Sequence, residues 1–129
     1  IFMYIKNSEK KYDIIIMDAY IGNDLPQSLS RLEFFKETDS HLSNKGILIA
    51  NLMTTDRPYY ENMIKTISSV FHEIWLLAGG TSSNTIAFAM NRKCSRREIV
   101  CNSLLLKKHF PSHFPLMRLI LKIQKLKRK

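Results

Sequence analysis

The chain has 129 residues, 45% of them apolar, which suits one modest domain rather than several. No stretch approaches the roughly 20 consecutive apolar residues of a membrane-spanning helix, and no secretory leader opens the sequence, so a cytoplasmic protein is expected. The net charge of +9 is uneven: residues 92–129 hold 12 lysines and arginines against 1 acidic residue, whereas residues 1–91 hold 8 against 10. The sequence therefore predicts a domain (1–91) followed by a basic tail (92–129).

Two β-branched runs, each followed by a helical pattern, predict an alternating α/β fold. The first run, YDIIIMD (12–18), has the continuous apolar pattern of a strand that is covered on both faces of a parallel sheet. Turn-forming residues after it predict a loop. Ser30 and Glu33 match a capping box, and we expect a helix from about residue 31 to residue 43.

The next segments repeat the strand and helix and then add a hairpin. GILIANL (46–52) predicts the second strand, and RPYYENMIKTISSVF (57–71) predicts the second helix, with Pro58 in its first turn, where a missing N–H is harmless. EIWLLAG (73–79) and TIAFAMN (85–91) are separated by a short polar linker, which indicates an antiparallel hairpin. The predicted order is β-α-β-α-β-β, with a parallel sheet and right-handed crossovers, followed by a helical tail.

This order leaves the first strand with only one evident neighbour. An exposed apolar edge strand favours aggregation. Either a partner covers this edge, or the strands that should flank it lie outside the chain. The chain begins with Ile1 rather than methionine, which we interpret as an incomplete chain or an atypical start.

The end of the tail, PLMRLILKIQKLKRK (115–129), predicts a basic amphipathic helix, with its apolar residues on one face. Such a helix could dock on its own domain with its lysines in solvent, or it could contact an anionic membrane surface or RNA. The lysines are not interleaved with aromatic residues, which weakens the interpretation as a single-stranded nucleic-acid site.

The histidines and cysteines do not predict a metal site. His109 and His113 have a ligand-like spacing, but Pro111 between them breaks the helix that would align them. Cys94 and Cys101 lack the C-x-x-C spacing of zinc and redox sites, so we expect free, buried thiols.

The segment YDIIIMDAYIGNDLPQSLSRLEFFKETDSHLSNKGILIANL (12–52) resembles the second half of the spermidine synthase (polyamine aminopropyltransferase) family, in particular its spermidine-synthase-like bacterial branch. The features that carry the resemblance are the D-A-Y strand end, a loop proline, E-F-F, and L-x-x-x-G-x-L-x-x-N-L. The resemblance implies an α/β fold, a partial class I methyltransferase-like Rossmann fold. Residues 1–91 would be the carboxyl-terminal half of its sheet, ending in an antiparallel hairpin, and residues 92–129 a basic helix.

The resemblance also implies a substrate site at the end of the first strand. Asp18 takes the position of the family's general base toward the attacking amine, although a residue there could also merely cap the strand end. Tyr20, Asp24 and Pro26 are the implied substrate-binding residues. Ile21 stands where the family usually has a second acidic residue, and Asp24 could replace that residue or serve only in the turn.

The implied reaction is aminopropyl transfer from decarboxylated S-adenosylmethionine to a diamine, without a metal. The family's glycine-rich turn and the acidic residues that bind the nucleoside are absent from this sequence, so we expect the chain alone to be incomplete or inactive, and whether it is an enzyme is left open. Two alternatives are a non-catalytic remnant that binds partners through its basic tail, and an S-adenosylmethionine-dependent methyltransferase. A homodimer is a further open expectation.

Overall fold

The computed structural model describes residues 9–20, 26–79, 83–109 and 115–127, which form a mixed five-stranded sheet with helices on both faces. The strands are β1 (Tyr12–Met17), β2 (Leu42–Met53), β3 (Glu73–Ala78), β4 (Asn84–Met90) and β5 (Gln124–Lys125). The helices are α1 (Leu32–His41), α2 (Arg57–Val70), α3 (Arg96–His109) and α4 (Leu116–Lys122), and a 3-10 turn (Gln27–Leu29) precedes α1.

The sheet order is β1-β2-β4-β3-β5, in which β1 and β2 are parallel and the other neighbours are antiparallel. The predicted alternation of strands and helices and the hairpin of β3 and β4 are therefore confirmed. None of the described helices has both the length and the apolar character needed to cross a bilayer.

The main apolar core lies between one face of the sheet and helices α1 and α2. Phe34 and Phe35 of the E-F-F segment are both buried, and their rings meet edge to face with centroids 5.3 Å apart. They pack with alternate residues of the strands and with the buried face of α2, and the members of this cluster include Met17, Leu48, Ala50, Leu52, Met63, Ile67 and Phe71. The two phenylalanines of E-F-F thus belong to the main core, and Glu33 is exposed.

Helices α3 and α4 cover part of the opposite face of the sheet. Trp75, Met90, Cys94 and Ile123 form a second buried cluster there. The Arg96 guanidinium donates to the carbonyl oxygens of Ile123 (2.9 Å) and Leu121 (3.1 Å), which ties the start of α3 to the end of α4.

β1 is covered on one face only, which corrects the expectation of a strand buried on both faces. Ile15 and Met17 pack against the main core, but Ile14 and Ile16 on the other face are 57% and 69% exposed. The reason is tertiary: in the part of the chain that the structure describes, α3 and α4 lie over β3 and β4 and do not reach β1, which forms an edge of the sheet.

The start of α1 differs from the predicted one, whereas the start of α2 agrees with the prediction. The expected capping box is wrong: Ser30 Oγ donates to the Gln27 carbonyl within the 3-10 turn, so the N-cap of α1 is Arg31, without a side-chain cap. α2 follows the prediction, with Pro58 in the first turn, and Asp56 Oδ1 caps it by accepting from the Tyr59 N–H at 3.0 Å.

β2 begins with a bulge that needs glycine. Tyr12 pairs with Leu42, but Ile14 pairs with Ile47. Residues 43–46 of β2 therefore lie opposite the single residue Asp13 of β1. A Cβ added to Gly46 would lie 2.9 Å from the Leu42 Cβ, closer than side chains normally approach. Because Gly46 has no Cβ, its backbone can approach the Leu42 side chain this closely within the bulge.

The end of the tail is not one continuous helix, which corrects the expectation for residues 115–129. α4 ends at Lys122, and the next residues pair with β3 as β5. Ile120 and Ile123 are buried, so the apolar side of the segment docks on its own domain. Of the two thiols that we expected to be buried, Cys94 is buried and Cys101 is exposed; both are free.

Candidate active site

Asp18 lies at the carboxyl end of β1, beside the carboxyl half of the parallel strand β2. Asn51 of β2 donates from Nδ2 to Asp18 Oδ1 at 2.9 Å. The Asp18 side chain is exposed, so the carboxylate is held by β2 and still open to a ligand from solvent. Ligands of open α/β sheets bind at this end of the strands, which supports the prediction that Asp18 lies at a site.

Tyr20 fastens the segment after Asp18 to the same part of β2. Its hydroxyl donates to the Asn51 carbonyl at 2.8 Å and accepts from the Met53 N–H at 3.1 Å. Partial burial raises the pKa of Tyr20, the Asp18 charge raises it further, and the hydrogen bond from Met53 acts in the opposite direction. Tyr20 is therefore a neutral phenol at neutral pH, and its hydroxyl is engaged with the backbone of β2.

Replacing Tyr20 with phenylalanine is expected to lower the free energy of unfolding by about 1–2 kcal/mol at pH 7, because two backbone groups of β2 lose their partner. The raised pKa means that the folded state holds the phenol proton more tightly than the unfolded chain. The stability that this proton contributes is complete below the ordinary tyrosine pKa of 10.0 and is lost as the pH rises through the folded-state pKa. Urea unfolding at pH 7 and pH 11 measures both effects.

The difference in stability between the wild-type protein and Tyr20→Phe should shrink at pH 11, since only the wild-type protein carries this titrating group. The same difference at both pH values would mean that the hydroxyl is not held as the structure shows.

Asn51 is a further candidate site residue, beyond those predicted from the sequence. Its side-chain orientation follows from chemistry, since a carboxylate only accepts hydrogen bonds and the amide nitrogen must face Asp18. Its Oδ1 is buried and has no hydrogen-bond partner within the described ranges. The signal was present in the sequence: Asn51 is a polar residue in the apolar run GILIANL, just as Asp18 closes YDIIIMD.

The other residues of the predicted site are not brought to Asp18 by the described contacts. Pro26 is half-buried, and its carbonyl accepts from the Leu29 N–H at 2.8 Å in the 3-10 turn that leads to α1. Asp24 and Ile21 lie outside the described residues. The structure therefore groups Asp18, Asn51 and Tyr20.

An apolar strip borders the Asp18 carboxylate. Side chains alternate along a strand, so Ile14 and Ile16 share the face toward which Asp18 points. Ile16 is in register with Ile49 of β2, and Asn51 is in register with Ile86 of β4. A cation at Asp18 would therefore have an apolar surface next to it.

Other parts of the described structure offer less chemistry. Among the described residues, no three histidine, cysteine, aspartate or glutamate side chains are grouped so that they could hold a metal ion. A cavity of about 620 Å³ lies at the β5 edge of the sheet, and its lining includes Glu73 and Lys125. These two side chains form an ion pair at 2.7 Å and so offset each other's charge.

Comparison with known proteins finds similar sequences and similar folds. No family model matches the sequence. A curated polyamine aminopropyltransferase from Vibrio vulnificus (strain CMCP6) is 38% identical over 76 residues. The chain is similar to polyamine aminopropyltransferases. The match covers 57% of this chain and 25% of that aminopropyltransferase, so the resemblance predicted from the sequence is confirmed over about half of the chain, and the matched segment is about a quarter of the relative.

Solved structures confirm the fold that an aminopropyltransferase-like sequence implies. A probable spermidine synthase from Corynebacterium glutamicum ATCC 13032 matches with a TM-score of 0.66 and 21% identity, over 81% of this chain and 42% of that chain. Human methyltransferase-like protein 13, in complex with SAH, matches with a TM-score of 0.73 and 19% identity, over 91% and 62%. At these identities the comparisons show the Rossmann-like α/β fold alone.

Proposed function

We propose that the protein takes part in polyamine synthesis, transferring an aminopropyl group from decarboxylated S-adenosylmethionine to a diamine, with Asp18 as the catalytic base. The observation that carries this proposal is the hydrogen bond between Asn51 and an exposed Asp18 at the carboxyl end of β1. The similarity to a curated polyamine aminopropyltransferase supports the choice of reaction.

A carboxylate at this place suits the chemistry of the transfer. A diamine is protonated at neutral pH, and its attacking nitrogen must give up a proton. The nitrogen lone pair forms a bond to the propyl carbon next to the sulfonium, the carbon–sulfur bond breaks, and its electron pair stays on sulfur to give methylthioadenosine. Asp18 attracts the cationic amine and takes up the proton that the nitrogen loses.

Asn51 and Tyr20 act in this proposal by positioning Asp18. The Asn51 amide fixes the direction of the carboxylate, and the Tyr20 hydroxyl fixes the backbone that follows it. The apolar strip of Ile14 and Ile16 provides a surface for the methylene chain between the two amines. Ile21 cannot pair with the second ammonium group, and we propose that Asp24 does so, with Pro26 bordering the site.

The donor nucleoside needs groups that this sequence does not supply. Its four glycines, Gly22, Gly46, Gly79 and Gly80, do not match the sequence pattern of the family's glycine-rich turn. We therefore propose that the described residues serve the amine side of the reaction, and that the full activity belongs to the protein as it occurs in its cells.

The test uses the native protein, purified from its source cells and given putrescine with one of two donors. Aminopropyl transfer predicts methylthioadenosine from decarboxylated S-adenosylmethionine and no S-adenosylhomocysteine from S-adenosylmethionine. The reverse result would favour the methyltransferase alternative, for which the likeness to methyltransferase-like protein 13 is a fold-level argument. If neither product forms, the non-catalytic alternative is favoured.

A further inference from the structure

The second half of α3 exposes three consecutive leucines to solvent. Leu104, Leu105 and Leu106 are 53%, 57% and 50% exposed, although the neighbouring Ser103 is buried. Leucine side chains this exposed on a helix indicate a surface that contacts a partner or a lipid phase.

One face of α3 combines two of these leucines with cations. Arg97, Cys101, Leu104, Leu105 and Lys108 follow the i, i+4, i+7, i+8, i+11 spacing of a single helical face, and all five are exposed. We call this set the leucine face of α3. Arg97 and Lys108 stand at its two ends, so cations flank the apolar centre.

α4 has exposed side chains of the same two kinds. Leu121 is 68% exposed, and the neighbouring Arg118 and Lys122 are also exposed. Arg96 at the start of α3 donates to the carbonyl oxygens at the end of α4, so these two helix ends are held to each other.

The charge of this region is largely uncompensated. Within the described ranges, the ion pairs of the tail are those of Arg92 with Glu98 and Lys125 with Glu73. The exposed cations of the leucine face and of α4 take part in neither pair. A negatively charged partner would therefore complement this surface.

Exposed leucines between cations fit an anionic lipid surface better than they fit RNA. Lipid headgroups take the cations and the acyl boundary takes the leucines, whereas RNA offers phosphates but no apolar phase. Residues 92–109 and 115–127 also contain no Phe, Tyr or Trp side chain on which a base could stack.

We propose that the leucine face of α3, together with Leu121 and the cations of α4, docks the protein on an anionic lipid surface. Leu121 and the cations of α4 belong to the segment 115–129 for which a membrane contact was expected, but Ile120 and Ile123 of that segment are buried in the domain. The leucines of α3 therefore supply most of the apolar contact. The proposal stands independently of aminopropyl transfer.

Flotation with lipid vesicles tests the proposal on the 129-residue chain. Vesicles of phosphatidylcholine with 30% phosphatidylglycerol should bind the protein, pure phosphatidylcholine should not, and raising NaCl from 50 to 500 mM should weaken the binding. The double variant Leu104→Ser/Leu105→Ser should lower the partition coefficient by about tenfold or more, since two apolar side chains no longer enter the interface. Arg97→Gln/Lys108→Gln should also lower it.

Two matched double variants serve as controls. Ile14→Thr/Ile16→Thr removes an equally exposed apolar pair on β1, and Lys36→Gln/Lys65→Gln removes two exposed cations from α1 and α2. Both controls should bind vesicles like the wild-type chain. Far-UV circular dichroism checks that every variant is folded.

Several outcomes would overturn the proposal. One is unchanged binding in the leucine variant, and another is a loss that follows the β1 pair instead. A third is no vesicle binding together with binding of a single-stranded RNA oligonucleotide that depends on Arg97 and Lys108. A fourth is sedimentation that shows self-association through the leucines, with no vesicle binding.

Discussion

The Asp18→Asn variant is expected to lower the rate of aminopropyl transfer by about 10²- to 10⁴-fold, the range that a positioned general base contributes. Asparagine has nearly the size of aspartate, and its carbonyl can still accept from Asn51, so the local structure should persist. It cannot take up the proton of the amine or attract its positive charge. The initial rate of methylthioadenosine release by the native-length protein measures the effect.

Asp13→Asn is the matched control on the same strand. Asp13 is also exposed, and it accepts from Ser43 Oγ at 2.6 Å, but it lies at the opposite end of β1 from Asp18. Its replacement removes the same charge and should leave the rate unchanged. Equal losses in both variants would indicate a general effect of charge, and an unchanged rate in Asp18→Asn would return Asp18 to a structural role.

The Phe35→Ala variant is expected to lose about 3–5 kcal/mol of unfolding free energy. Phe35 is fully buried and meets the Phe34 ring edge to face, so truncation leaves a cavity between the sheet and α1. This is a large share of the roughly 5–15 kcal/mol by which a typical domain is stable. Urea unfolding followed by circular dichroism gives the number.

Two further substitutions serve as controls for the expected loss of unfolding free energy. Phe35→Leu keeps most of the volume and should lose much less, while Leu105→Ala on the exposed side of α3 should change stability by about 0.5 kcal/mol or less. A loss below about 1 kcal/mol for Phe35→Ala would mean that the E-F-F segment does not form the core described above.

The elements that could be predicted from the sequence are those with strong local signals. The β-branched runs became β1 and β2, the run with Pro58 became α2, and the two runs around a short polar linker became the hairpin of β3 and β4. Asp18 stood out because a charged residue closes an apolar run. Asn51 carries a similar signal, but the sequence alone places it only within the family pattern.

What could not be predicted depends on contacts between distant segments. The exposure of Ile14 and Ile16 follows from how far α3 and α4 reach across the sheet, which periodicity does not encode. The helical pattern after Pro115 continues past Lys122, but pairing with β3 replaces it. Ser30 bonds within a 3-10 turn, a local competitor that the capping-box pattern does not reveal.

The measurement that tests the central claim most directly is the fate of isotopically labelled putrescine with decarboxylated S-adenosylmethionine and the native protein. Our account predicts labelled spermidine and methylthioadenosine in equal amounts from the wild-type protein, and almost none of either from Asp18→Asn. Labelled spermidine formed at the same rate by both proteins would contradict the role of Asp18, and methylthioadenosine without labelled spermidine would contradict aminopropyl transfer to the diamine.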